Sequence, residues 1–84
     1  MTVRVRFFAA ARERVGASAI DVERSGARTV AELIGVLART RGADLAAMLS
    51  APGIRFAVNQ ELVERDAAIA DGDEVAFMPP VTGG

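Results

Sequence analysis

The group in this 84-residue sequence best placed to do chemistry is its last one, the carboxylate of Gly84. A carboxylate is a poor electrophile, because its charge is delocalised and its leaving group would be oxide. Adenylation by ATP gives an acyl-adenylate whose phosphate leaves readily. Attack by sulfur then yields a thiocarboxylate, and attack by an amine yields an amide. An activating enzyme must surround that carboxyl in a narrow, water-excluded slot. Glycine lets a backbone thread such a slot without side-chain clashes, so Gly83-Gly84 suits a carrier or a conjugating protein.

The rest of the composition pushes chemistry towards that end. There is no His, Cys, Trp or Tyr, and all ten basic residues are Arg. Without His or Cys, neither a Ser-His or Cys-His nucleophilic site nor the common zinc sets can be assembled. Without Lys there is no Schiff base and no phosphate-loop lysine. Carboxylates, three serines and arginines remain, a poor set for an enzyme acting alone. The formal net charge of −1 leaves no basic footprint for nucleic acid. No apolar run nears the ~20 residues of a membrane span. The opening Met1-Thr2-Val3-Arg4-Val5-Arg6 alternates like a strand and lacks the apolar core of a signal peptide. With no cysteine there are no disulfides, and cytoplasmic residence is the expectation.

Positioning the tail falls to a small domain. Pro79-Pro80 fixes φ and removes two donors, so a strand ending at Met78 cannot continue and a stiff stalk is expected to follow. Val3, Val5 and Phe7 alternate with Arg4, Arg6 and Phe8, predicting a half-buried strand with Phe8 facing outward beside two arginines. Ala9 to Val15 predicts a short helical turn stopped by Gly16, and Ser18 to Glu23 a second strand closed by a Ser25-Gly26 turn. Thr29-Val30-Ala31-Glu32 reads as a capping box, and Val30, Leu33, Ile34 and Leu37 then form one apolar helical stripe ended by Gly42. Ala43 to Ser50 is a weaker helical turn, broken by Pro52-Gly53. Ile54 to Val58, an Asn59-Gln60 turn and Glu61 to Val63 predict a hairpin. After an Asp71-Gly72 turn, Glu74 to Met78 is the last strand. Strands on both sides of one amphipathic helix indicate an α+β domain of helix on sheet. The order β-β-α-β-β matches a β-grasp (ubiquitin-like) fold, a mixed sheet of four to five strands on one main helix, with a domain over 1–80 and a flexible tail over 81–84.

The run from Asp71 to Gly84 closely resembles the C-terminus of the small, sulfur-carrying subunit of molybdopterin synthase. Phe7-Phe8-Ala9, Arg12-Glu13 and Ala57-Val58-Asn59-Gln60 match that family at the expected places, and the resemblance covers the whole chain. Met78 departs mildly, standing where an aromatic is frequent. The resemblance implies first and last strands side by side at the sheet centre. It also implies that an adenylating enzyme activates Gly84 with ATP and magnesium, and a sulfurtransferase supplies sulfur for the thiocarboxylate. Pro79, Pro80, Val81, Thr82 and Gly83 would thread the tail into the large synthase subunit, where sulfur passes to cyclic pyranopterin monophosphate. The synthase would be a heterotetramer of two large and two small subunits, its catalytic side chains on the large one. No cofactor would be held by this chain.

Other residues complete the candidate set. If the first and last strands are neighbours, Phe8 and Met78 form one exposed apolar patch beside the stalk, a docking surface for both partners. Arg12 and Arg14 are read as partner-pairing residues or a solvated helix face. Asp71, Asp73 and Glu74 lack the spacing of a calcium loop and read as turn chemistry, so no metal site is expected. Two other functions fit the same tail: a sulfur carrier for another pathway, such as thiamine thiazole synthesis, and a ubiquitin-like modifier forming isopeptide bonds through Gly84.

Overall fold

Alternation along the first strand decides where the core lies. Val3, Val5 and Phe7 are buried while Thr2, Arg4 and Arg6 are exposed. The computed structural model describes residues 1–79. Its elements run β1 (Thr2–Phe7), α1 (Ala9–Val15), β2 (Ala19–Glu23), α2 (Val30–Arg41), α3 (Ala43–Leu49), β3 (Arg55–Val58), β4 (Glu61–Val63) and β5 (Glu74–Met78). The strands make one five-stranded sheet in the order β2-β1-β5-β3-β4. At its centre β1 and β5 run parallel, from Arg4 beside Glu74 to Phe7 beside Phe77. The remaining pairs are antiparallel. This is the expected β-grasp arrangement, with five strands.

Local chemistry accounts for the turns. Gly16 takes φ +84° and its N–H donates to the Arg12 carbonyl, closing α1. Asn59 and Gln60 both have positive φ, 51° and 72°, which suits a two-residue hairpin loop between β3 and β4. At the start of α2 the Thr29 hydroxyl accepts from the Glu32 N–H at 3.2 Å. The reciprocal half of the expected capping box differs: Glu32 accepts from the Arg28 N–H, one residue further back, at 2.7 Å. Glu32 thereby secures the residue before the cap.

One face of the sheet is covered by two helices where the sequence predicts one main helix. α2 buries Val30, Leu33, Ile34, Val36 and Leu37, and α3 adds Leu45 and Leu49. α1 has no fully buried residue, but Ala11 and Val15 pack against the edge of this core. Its first residue, Ala9, has φ +51°, a left-handed conformation that costs an L-residue roughly 1–2 kcal/mol.

Two stability measurements check this layering. Leu45→Ala should lower the unfolding free energy by about 2–5 kcal/mol in urea titrations, as for a fully buried leucine; a loss under 1 kcal/mol would make α3 peripheral. Ala9→Gly should cost nothing or stabilise, since it relieves the positive φ. Ala11→Gly in the same helix should cost about 0.5–1 kcal/mol.

Candidate functional site

The site is the root of the terminal tail, and the sheet register builds it. β5 is the central strand, with Val75, Ala76 and Phe77 all buried. The Phe77 ring stacks on Phe7 at 6.4 Å between centroids and meets Phe56 edge-on at 5.7 Å. Such aromatic pairs add about 0.5–1.5 kcal/mol each beyond area burial and fix the ring's orientation. Phe7 lies beside Phe77, and Arg55 opposite Met78, so the ends of β1 and β5 and the start of β3 share one edge of the molecule. Pro79 is exposed at that edge. Pro80, Val81, Thr82, Gly83 and Gly84 lie outside the described residues.

The other end of β5 is anchored by polar contacts. Asn59 donates its N–H to the Glu74 carbonyl, and its side-chain oxygen accepts from the Glu74 N–H. Its amide also donates to Asp73, whose second oxygen accepts from the Ala70 N–H. Asn59 was legible as a turn residue; that it also braces β5 follows from a contact 14 to 15 residues away. The acidic trio is consumed in the same way. Asp71 pairs with Arg24 at 2.8 Å and with the N-terminal ammonium at 3.6 Å, and Glu74 pairs with Arg6 at 3.5 Å. Among the described residues no group of three or more Asp or Glu is placed to hold a metal ion.

The apolar surface at the root differs from the expected Phe8–Met78 patch. β1 ends at Phe7 because the Phe8 carbonyl already accepts from the Arg12 N–H at the start of α1. Phe8 is half-buried and lines a hollow of about 180 Å³ together with Ala10, Met48, Ile54, Phe77 and Pro79. Met78 is half-buried too, and it is not part of that lining. By alternation it shares the outer face of the sheet with Ala76, Ala57 and Leu62, paired across β5, β3 and β4. Leu62 is 63% exposed, whereas neither Phe8 nor Met78 is fully exposed. Sequence reading passed over Leu62. The two-residue loop at Asn59-Gln60 fixes the register that turns it outward, and that was the available signal.

The two candidate arginines separate. Arg12 is exposed and makes no ion pair among the described residues. Arg14 is taken up within the chain by Asp44 at 2.7 Å, so it is not free for a partner. Among the described residues, those lining the hollow at the root are all apolar, with no hydroxyl or carboxylate side chain.

Sequence and structure comparisons agree with this geometry. The model of the ThiS family matches residues 5–84. The molybdopterin synthase sulfur carrier subunit of Escherichia coli K12 is 43% identical over 82 residues, covering 98% of this chain and 99% of that one. The small archaeal modifier protein 1 of Haloferax volcanii superposes with a TM-score of 0.77 at 26% identity, covering 95% of this chain and 98% of that one. A chain in the complex of subunits 1 and 2 of the molybdopterin-converting factor of Helicobacter pylori matches over 100% of both chains, with a TM-score of 0.65 and 25% identity. A five-stranded β-grasp sheet with a tail rooted on its central strand, and identity spread over nearly the full length of these relatives, place the chain in the ThiS family, among the molybdopterin synthase sulfur carrier subunits.

Proposed function

We propose that this chain carries sulfur for molybdenum cofactor synthesis, in the cytoplasm, on the carboxyl of Gly84. The observation that carries the reading is the near full-length identity to a molybdopterin synthase sulfur carrier subunit. The root geometry supports it, since the central strand β5 ends at Met78, from which the sequence runs on through a diproline to two glycines. An adenylating enzyme binds ATP and magnesium, and a Gly84 oxygen attacks the α-phosphorus with loss of pyrophosphate. A sulfur nucleophile then attacks the acyl carbon and AMP leaves, so a C–S bond replaces C–O. In the large synthase subunit the thiocarboxylate sulfur displaces an oxygen substituent from a carbon of cyclic pyranopterin monophosphate, and water then cleaves the acyl–sulfur bond, returning the Gly84 carboxylate and leaving the sulfur on the pterin. A dithiolene needs two sulfurs, so two charged copies serve each pterin. This chain supplies reach and docking; its partners supply the bases and the nucleotide site.

Docking is assigned to the root, through Phe8, Arg12, Met78 and the exposed Leu62. A ubiquitin-like modifier is the second reading, favoured by the likeness to small archaeal modifier protein 1. There Gly84 would pass to a lysine of another protein, because this chain has none.

Intact mass after incubation with the activating enzyme, ATP and a sulfur source should rise by one sulfur-for-oxygen exchange, and deletion of Gly84 should abolish the rise. A rise that survives the deletion rules out Gly84 as the carrier atom's seat. High-molecular-weight conjugates in cells, in the absence of any sulfur gain, would favour the modifier. Phe8→Ala, Met78→Asp and Leu62→Asp should each weaken binding to the large subunit by about tenfold or more, the scale of a central interface residue. Unchanged affinity in all three would remove the root as the docking surface.

A further inference from the structure

The hollow behind the tail root is built by the segment that carried no legible motif, residues 43–52. α3 forms one wall through Met48, and Ile54 follows it at the start of the hairpin. The opposite wall is the start of α1, where Ala9, Ala10 and Ala11 put no long side chain in the way. The volume of about 180 Å³ falls short of the ~300 Å³ at which small-molecule sites begin. Its lining residues are apolar, so a nucleotide or a pterin is a poor fit and a single apolar side chain a good one.

The hollow depends on how α3 is held against α1. Arg14 donates from Nε to Asp44 Oδ2 at 2.7 Å and from Nη2 to Oδ1 at 2.9 Å. The same Nη2 donates to the Arg41 carbonyl at 3.1 Å, so one guanidinium ties together α1, the end of α2 and the start of α3. The hydrogen bond from Arg14 holds the Asp44 carboxyl down to about 2, so the pair stays ionised further into acid than a free carboxyl would. Gly42 is required at the junction, with φ +111°. A Cβ there would lie 2.8 Å from Asp44 Oδ1 and 3.2 Å from Arg14 Nη2. On the other side of the hollow, Ala9 takes a strained positive φ where the chain turns from β1 into α1. Strain of this kind collects at functional surfaces.

What covers the hollow follows from the length of the tail. The five residues after Pro79 reach at most about 17 Å when fully extended. A protein whose reacting centre meets the Gly84 carboxyl must therefore bring its mouth up to Pro79, which is itself a wall of the hollow. Arg12, exposed and without an ion pair among the described residues, follows directly on the α1 residues that line it.

We propose that the hollow receives an apolar side chain of the large subunit that encloses the tail, bordered by a carboxylate facing Arg12, and that Arg14 and Asp44 are the positioning pair that keeps it open. The proposal rests on the sulfur-carrier reading. It is tested by titrating the full chain into the cognate large subunit in a calorimeter, with thermal denaturation of each variant alongside. Ala10→Leu, which fills the hollow from an exposed position, should weaken binding about tenfold or more without lowering the melting temperature. Arg14→Met should raise the apparent KM for the charged chain severalfold and leave kcat in place. The exchanged pair, Arg14→Asp with Asp44→Arg, should recover most of the affinity. Ala10→Leu binding as tightly as the wild type would overturn the proposal, as would an Arg14→Met effect confined to kcat. Failure of the wild-type chain to bind the large subunit at all would instead strike the sulfur-carrier reading itself.

Discussion

The parallel pairing of β1 with β5 is the constraint from which the rest of the molecule follows. Parallel neighbours cannot be joined by a tight turn, so everything between Phe7 and Glu74 serves as the crossover between them. The pairing places a strand from each end of the described chain in the middle of the sheet, where Phe7, Phe77 and Phe56 interlock. A tail leaving a central strand has a fixed origin. One leaving an edge strand would inherit the fraying of that edge. The arrangement also has a kinetic consequence: the sheet closes only when the two most distant strands meet, which makes folding depend on non-local contacts.

The two ends of the sheet are chemically unlike, and this division suits the proposed carrier. At the β5 start, Asp71, Asp73 and Glu74 are each tied to a cation or a backbone N–H, through Arg24, Ala70 and Arg6. At the β5 end, apolar side chains and the cations of Arg12 and Arg55 are left available to a partner. Polar groups satisfied within the chain anchor the strand, while unsatisfied apolar surface collects where the tail emerges. No His, Cys or Lys intrudes at either end. An activated acyl group on such a chain has no side-chain amine or thiol of its own to react with.

What could be read from the sequence was what local chemistry decides. The α2 stripe, the Gly16 stop, the Asn59-Gln60 loop and the inward faces of β1 and β5 all follow from spacing and from residues that tolerate positive φ. The pairing of β1 with β5 came only through resemblance to a family, because no local pattern encodes contacts 70 residues apart. The site was legible in its outline and not in its walls. Phe8 was read as the next outward strand residue, yet its carbonyl starts a helix and the chain turns there through a strained Ala9. Arg14 and Asp44 are 30 residues apart and meet only because α3 folds back on α1. Leu62 looked like an ordinary short-strand residue until the hairpin register set its face.

The shape of the root bears on how such a carrier must behave. A subunit that gives up one sulfur and is recharged by a different enzyme has to bind two partners and release both. A large apolar interface would favour binding and slow the release, since affinity among related complexes is tuned mostly through dissociation. The root offers instead one exposed leucine, two half-buried apolar residues and a hollow sized for a single side chain. These are few anchors, set around the point where the sequence runs on into the tail. Binding then leans on the tail being correctly enclosed. In the proposed cycle a charged and an uncharged tail differ at one atom, so the step that removes sulfur is also the one placed to loosen the hold on the chain.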